Sequence, residues 1–152
     1  CMGGEVCSCP CSIDGVIFGA NEYAKLVAIN GADGKVLWES SDYLPEVSSP
    51  VATKDHCMWR RVMASLRLMI QRPVRWLKNM SLNVEFYSSP MIVEGKLYLF
   101  SNDGKMHIFS TDNEFNLLSS FETGERTMAT PAFTDGKIVV RTEKSIYCVA
   151  MN

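Results

Sequence analysis

Ser88-Ser89-Pro90-Met91-Ile92-Val93-Glu94-Gly95-Lys96-Leu97-Tyr98-Leu99-Phe100 joins a short apolar segment, a turn dipeptide and a second apolar run. Apolar, β-branched and aromatic residues on both sides of Glu94-Gly95 predict a β-hairpin. The same phrase returns along the chain. Cys9-Pro10 leads to Asp14-Gly15, Ser49-Pro50 to Lys54-Asp55, and Thr130-Pro131 to Asp135-Gly136. Pro10, Pro50, Pro90 and Pro131 are separated by 40, 40 and 41 residues. A fixed period of that size marks stacked copies of one supersecondary unit.

The first copy shows the unit in full. Residues 6–13 alternate, Val16 to Ala20 is a β-branched and aromatic run, and Lys25 to Asn30 and Lys35 to Ser40 supply two further strands. Turn chemistry separates them at Asp14-Gly15, at Asn21 to Ala24 and at Gly31-Ala32-Asp33-Gly34. In the third copy the strands are Met91 to Val93, Lys96 to Phe100, Lys105 to Ser110 and Phe115 to Phe121. The fourth copy stops after Ala132-Phe133, Lys137 to Arg141 and Ser145 to Ala150. Four-stranded antiparallel sheets repeating every ~40 residues are the signature of propeller blades. The expected fold is all-β, a β-propeller fragment of about three to four blades. Residues 1–152 form one partial propeller with approximate repeats at 2–41, 42–81, 82–121 and 122–152. The three-stranded ending predicts a true C-terminus and a lost N-terminal portion, with a complete ring of seven or eight blades.

Ala28-Ile29-Asn30-Gly31-Ala32-Asp33-Gly34-Lys35-Val36-Leu37-Trp38 resembles the AxDxxTGKxxW docking motif of pyrroloquinoline-quinone-like (PQQ-like) propeller repeats. Asn30 stands for the motif's aspartate and Asp33 for its threonine. The resemblance covers residues 2–56 and 85–151. It implies a structural docking role for Ala28, Asn30, Gly34, Lys35 and Trp38, with the tryptophan packed between neighbouring blades and the glycine making the last turn.

Residues 56–84 break the pattern. They hold Arg60, Arg61, Arg67, Arg72, Arg75 and Lys78 with no acidic residue. Met58, Val62, Leu66 and Met69 lie at helical spacing up to Pro73, the pattern of a basic amphipathic helix. The spacing from Pro50 to Pro90 is nevertheless unchanged, so the stretch replaces blade strands without adding length. The genetic code suggests a cause. Displacing the frame by one nucleotide forces Val from Met58-Trp59, Gly from Met63-Ala64 and Asp from Met69-Ile70. Residues 70–76 can then decode as Thr-Lys-Thr-Gly-Glu-Val, which completes the missing docking motif. Residues 57–84 are thus expected to be aberrant, a possible frameshifted translation, and to be disordered or helical. The sequon Asn79-Met80-Ser81, Cys57 and the arginine cluster accordingly carry little functional weight.

The rest of the chain offers little chemistry. Fifteen basic and seventeen acidic residues nearly cancel, giving a net charge of −2, which does not favour nucleic acid as partner. No apolar run approaches the ~20 residues that span a bilayer. Cys7, Cys9 and Cys11 alternate. Cys7 and Cys11 occupy positions that are Val47 and Val51 in the second copy, so the expectation is small core residues; no paired Cys-x-x-Cys spacing points to metal. His107 alternates with Met106 and Ile108 and reads as an ordinary strand residue. No Ser/His/Asp set, metal-ligand spacing or phosphate loop emerges, and no catalytic, cofactor-binding or metal residue is assigned.

Two function classes follow from the resemblance. One is a non-enzymatic binding or scaffold module, in a periplasmic or cell-surface location, using blade loops or the axial funnel to hold protein partners. It needs no cofactor. The other is part of a quinoprotein dehydrogenase, an enzyme that uses PQQ and calcium; those relatives carry an adjacent cysteine pair that this chain lacks. The first is the expected function.

Overall fold

The computed structural model describes residues 8–21, 25–42, 44–45, 47–61, 63–71 and 74–150. They form strands and turns with no helix among them. The chain divides into two compact units, Cys1–Asn83 and Val84–Asn152.

The first unit carries two sheets. β1 (Cys11–Ile13), β2 (Val16–Ala20), β3 (Leu26–Asn30) and β4 (Val36–Ser40) lie in chain order as an antiparallel meander. β5 (Val51–Ala52), β6 (His56–Arg61), β7 (Met63–Gln71) and β8 (Val74–Glu85) form the second sheet in the same order. Val16, Phe18, Leu26 and Ala28 of the first sheet share one core cluster with Cys57, Trp59 and Met69 of the second, and Trp38 packs against it. Burial of such large apolar side chains is the main force holding two sheets face to face.

The second sheet corrects the expectation for residues 57–84, of which those described are strand and neither helical nor disordered. Cys57 pairs with Met69, Met58 with Leu68 and Trp59 with Arg67 in a regular antiparallel ladder. Cys57, Met58, Trp59 and Leu66 are fully buried, and Met69 is buried. Consecutive buried residues point to opposite faces of a strand, so β6 is buried on both of its faces. The helical spacing of Met58, Leu66 and Met69 satisfies one face only, so the long-range ladder prevails over the local period. The blade therefore keeps all four strands.

In the second unit β9 (Met91–Val93), β10 (Lys96–Phe100), β11 (Lys105–Ser110) and β12 (Leu117–Glu122) make one four-stranded sheet. β13 (Ala132–Thr134), β14 (Lys137–Arg141) and β15 (Ile146–Ala150) make a three-stranded one. Tyr98, Phe100, Met106, Ile138 and Val140 form their common core. β12 starts at Leu117, two residues later than the apolar pattern suggests. Phe115 is held in the left-handed region at φ 48°, because the Asp112 carboxylate accepts the N–H groups of Glu114 and Phe115 at 2.9 and 3.0 Å.

The hairpin dipeptides adopt the conformation their composition implies. Asp14 and Gly15 have φ of 47° and 76°, Glu94 and Gly95 of 50° and 70°, and Asp135 and Gly136 of 46° and 68°. Two successive positive φ values are what a type I′ hairpin turn needs to match strand twist.

Candidate functional site: the loop surface of the second unit

In an antiparallel meander, the segment before the first strand and the turn between the second and third strands lie at the same end of a sheet. In the second unit this end gathers residues 84–90 and 101–104 of one sheet with residues 125–131 and 141–145 of the other. Backbone and side-chain hydrogen bonds knit these loops into one surface.

Asn102 is the first knot. Its N–H donates to the Glu85 carbonyl at 2.8 Å, its carbonyl accepts the Thr127 N–H at 3.1 Å, and its Oδ1 accepts the Tyr87 N–H at 3.1 Å. Gly104 follows at φ 89°, where any Cβ would overlap the Glu125 carbonyl oxygen. Glycine is required there on both counts, backbone conformation and space. The Thr123 N–H closes the contact by donating to the Gly104 carbonyl at 2.9 Å.

Glu125 is the second knot. Its carboxylate accepts the hydroxyls of Thr142 at 2.5 Å, Ser145 at 3.0 Å and Tyr147 at 3.1 Å. These bonds, that of Thr142 foremost, hold its pKa below the ordinary glutamate value, since donors to a carboxylate favour its charged form.

Because Glu125 is occupied by hydroxyls, the arginines beside it are left to solvent. Arg126 and Arg141 are both exposed. Among the described residues neither guanidinium pairs with a carboxylate. Both line a concavity of about 340 Å³ together with Thr127, Met128, Ala129, Thr142 and Glu143. Met128 is 62% exposed. A neighbouring hollow of about 330 Å³ is bounded by Val84, Glu85, Asn102, Asp103 and Arg126. The surface thus alternates charge around an apolar methionine on firmly held loops. Such a surface suits recognition of a partner.

Among the described residues no nucleophile-and-base set accompanies it. His107 is 9% exposed, lies within a sheet with its ring stacked on Phe109 at 6.4 Å and tilted against Phe86 at 5.8 Å, and is a packed strand residue. Among the described residues no three His, Cys, Asp or Glu side chains converge as metal ligands would. Cys7 lies outside the described residues. Cys9 is exposed and precedes β1, whereas Cys11 is on it and packs against the first core. Burial pushes the Cys11 thiol up to about 11 and raises the Cys57 thiol well above its ordinary value. Raised thiols are poor nucleophiles at neutral pH. No described helix is long and apolar enough to cross a membrane.

The residues of the docking-like run are placed as follows. Ala28 is fully buried and pairs with Phe18 on one side and Trp38 on the other. Asn30 closes the β3–β4 turn: its carbonyl accepts the Gly34 N–H at 2.8 Å and its Oδ1 the Ala32 N–H at 3.0 Å. Gly34 has φ 72°, and exposed Lys35 pairs with Asp33 at 3.0 Å. The Trp38 ring lies 6.0 Å from that of Phe18. The loop surface, by contrast, was not indicated by any motif; its signal is the dipeptide Arg-Thr occurring at Arg126-Thr127 and again at Arg141-Thr142, and only folding brings the two together.

The architecture has solved counterparts. The chain superposes on BamB from Moraxella catarrhalis with a TM-score of 0.78 at 11% identity, over 95% of this chain and 43% of that one. Its fold is that of a PQQ-like β-propeller. The computationally designed protein Ika4 matches with a TM-score of 0.74 at 10% identity, over 99% of this chain and all of that one. A quinohemoprotein alcohol dehydrogenase, ADHIIG from Pseudomonas putida HK5, matches with a TM-score of 0.63 at 12% identity, over 80% of this chain and 22% of the enzyme. The chain therefore spans less than half the length of BamB and about a fifth of that of the dehydrogenase. No family model and no curated protein matches the sequence.

Proposed function

We propose that the protein is a non-enzymatic binding module of the PQQ-like propeller type, working in the cell envelope and holding a protein partner on the loop surface of its second unit. The observation that carries this reading is the pair Arg126 and Arg141, two exposed guanidiniums with no carboxylate partner among the described residues, flanking one concavity on loops locked by Asn102 and Glu125. Arginine beside an exposed methionine is the composition enriched at protein interfaces. The likeness to BamB supports the envelope location, and the arrangement of the described residues offers no competing chemistry.

The test uses a photo-crosslinking residue in place of Met128 in cells that produce the protein naturally. A discrete adduct with one envelope protein, lost in the Arg126→Glu/Arg141→Glu double variant while the fold is retained, is the expected outcome. Absence of any such adduct, together with saturable binding of PQQ in the presence of calcium, would turn the assignment to the dehydrogenase class.

A further inference from the structure

The two units repeat one packing arrangement with different residues at each position, and the greatest loss of side-chain volume falls on its last strand. In the first unit the ladder runs Phe18, Ala28, Trp38 across β2, β3 and β4. In the second it runs Tyr98, Ile108, Ser119 across β10, β11 and β12. The facing sheet contributes the pair Cys57 and Met69 in the first unit and the pair Ile138 and Val149 in the second. Ser119 thus stands where the first unit has the indole of Trp38.

The missing ring leaves space. A cavity of about 240 Å³, open to solvent, is lined by Tyr98, Ser119, Phe121, Ile138 and Val149 among others. Its walls are the counterparts of those that hold Trp38. Lys96 is the one charged residue of the lining, and no carboxylate pairs with it among the described residues. An apolar slot walled by aromatic and branched side chains, with one unpaired cation at its edge, has the make-up of a small-molecule site.

We propose that this cavity binds a planar aromatic acid of about indole size, the ring taking the place that Trp38 fills in the first unit and the anionic group meeting Lys96. The shape requirement comes from Trp38 against Phe18, and the charge requirement from Lys96. This site is separate from the loop surface and does not depend on the function proposed for that surface.

The experiment is a methyl NMR titration of the full chain with indole-3-acetate, indole and tryptamine. Indole-3-acetate shifts the Ile138 and Val149 methyls at the lowest concentration, indole shifts them more weakly, and tryptamine is weakest. Lys96→Met lowers the affinity for the acid roughly tenfold, the scale of one lost charge-assisted contact, and leaves indole binding unchanged. Ser119→Trp fills the cavity and abolishes binding of all three; Ser119→Leu, a smaller filling residue, serves if the tryptophan variant does not fold. Unperturbed Ile138 and Val149 methyls, binding that survives a folded filling variant, or tryptamine binding as well as the acid would each overturn the proposal.

Discussion

The backbone N–H of Ser89 donates to Thr130 Oγ1 at 2.9 Å, a bond between residues 41 apart in sequence. The N–H of Cys9 makes the same bond to Ser49 Oγ, also at 2.9 Å, across 40 residues. Each donor and each acceptor immediately precedes one of the periodic prolines. The proline restricts the residue before it to extended backbone, so a hydroxyl there meets the amide of the neighbouring copy. This bond gives the repeated Ser/Thr-Pro pair a physical reason.

Removing that hydroxyl tests the relation. Thr130→Val keeps the shape and deletes the acceptor. The variant should lose about 1 kcal/mol of stability, the usual net worth of one hydrogen bond, in urea unfolding of the intact chain. Thr111→Val removes the hydroxyl that donates to the Gly95 carbonyl, a bond made within one sheet, and is the control for a hydroxyl outside the proline phrase.

Trp38 is the principal side chain contributed by β4 to the first core, where it meets Phe18. Trp38→Ala opens a hollow between the first two sheets and should cost about 3 kcal/mol, at the lower end for a large aromatic because the ring is only half-buried. Thermal unfolding followed by circular dichroism measures it. A loss below that of Thr130→Val would show that the ring contributes little to sheet packing.

Glu125 makes the loop surface sensitive to acid. Its pKa is depressed by the Thr142, Ser145 and Tyr147 hydroxyls, so its contribution to stability is complete above the ordinary glutamate value of 4.5 and is lost as pH falls through the lower folded value. Glu125→Gln should reduce that part of the acid dependence and leave the slope at higher pH unchanged. Stability measured at closely spaced pH values below neutrality, in both forms, decides the matter.

Glu94 occupies a left-handed position at φ 50°, as Asp14 and Asp135 do in their own turns. Among these, Glu is the residue least suited to that region. Glu94→Asn should stabilise the protein by ~0.5 kcal/mol or more, seen as a higher urea midpoint without a change of slope. An unchanged or lower midpoint would mean that the Glu94 side chain makes a compensating contact.

The coding DNA tests the reading of residues 57–84. In the displaced frame this window should remain free of stop codons and encode an Asp followed by Thr-Lys-Thr-Gly-Glu-Val or a close variant. Stop codons in that frame would end the explanation. Strand formation in the present sequence is compatible with either history, because the alternating apolar residues Cys57 and Trp59 fill the core whatever their origin.

Local signals in the sequence determined the strands, the turns and the repeat. Asp14-Gly15, Glu94-Gly95 and Asp135-Gly136 dictate their hairpins through φ preferences that act within two residues, and the proline period reports the stacking of units. Tertiary structure alone decided three matters. It made strands of His56–Arg61, Met63–Gln71 and Val74–Glu85, since burial on both faces outweighs a one-sided helical period. It brought Glu125 to Thr142, Ser145 and Tyr147, which lie on the far side of a hairpin. It also placed Ser119 opposite Ile108. Counting from the prolines puts Leu118 at the position of Trp38, but the β11–β12 connection is one residue longer than the β3–β4 connection and moves the register by one residue, both ladders having the same irregularity after Ala28 and Ile108. A one-residue shift exchanges the two faces of a strand, and so a side chain that periodicity would make leucine is serine, with an open cavity beside it.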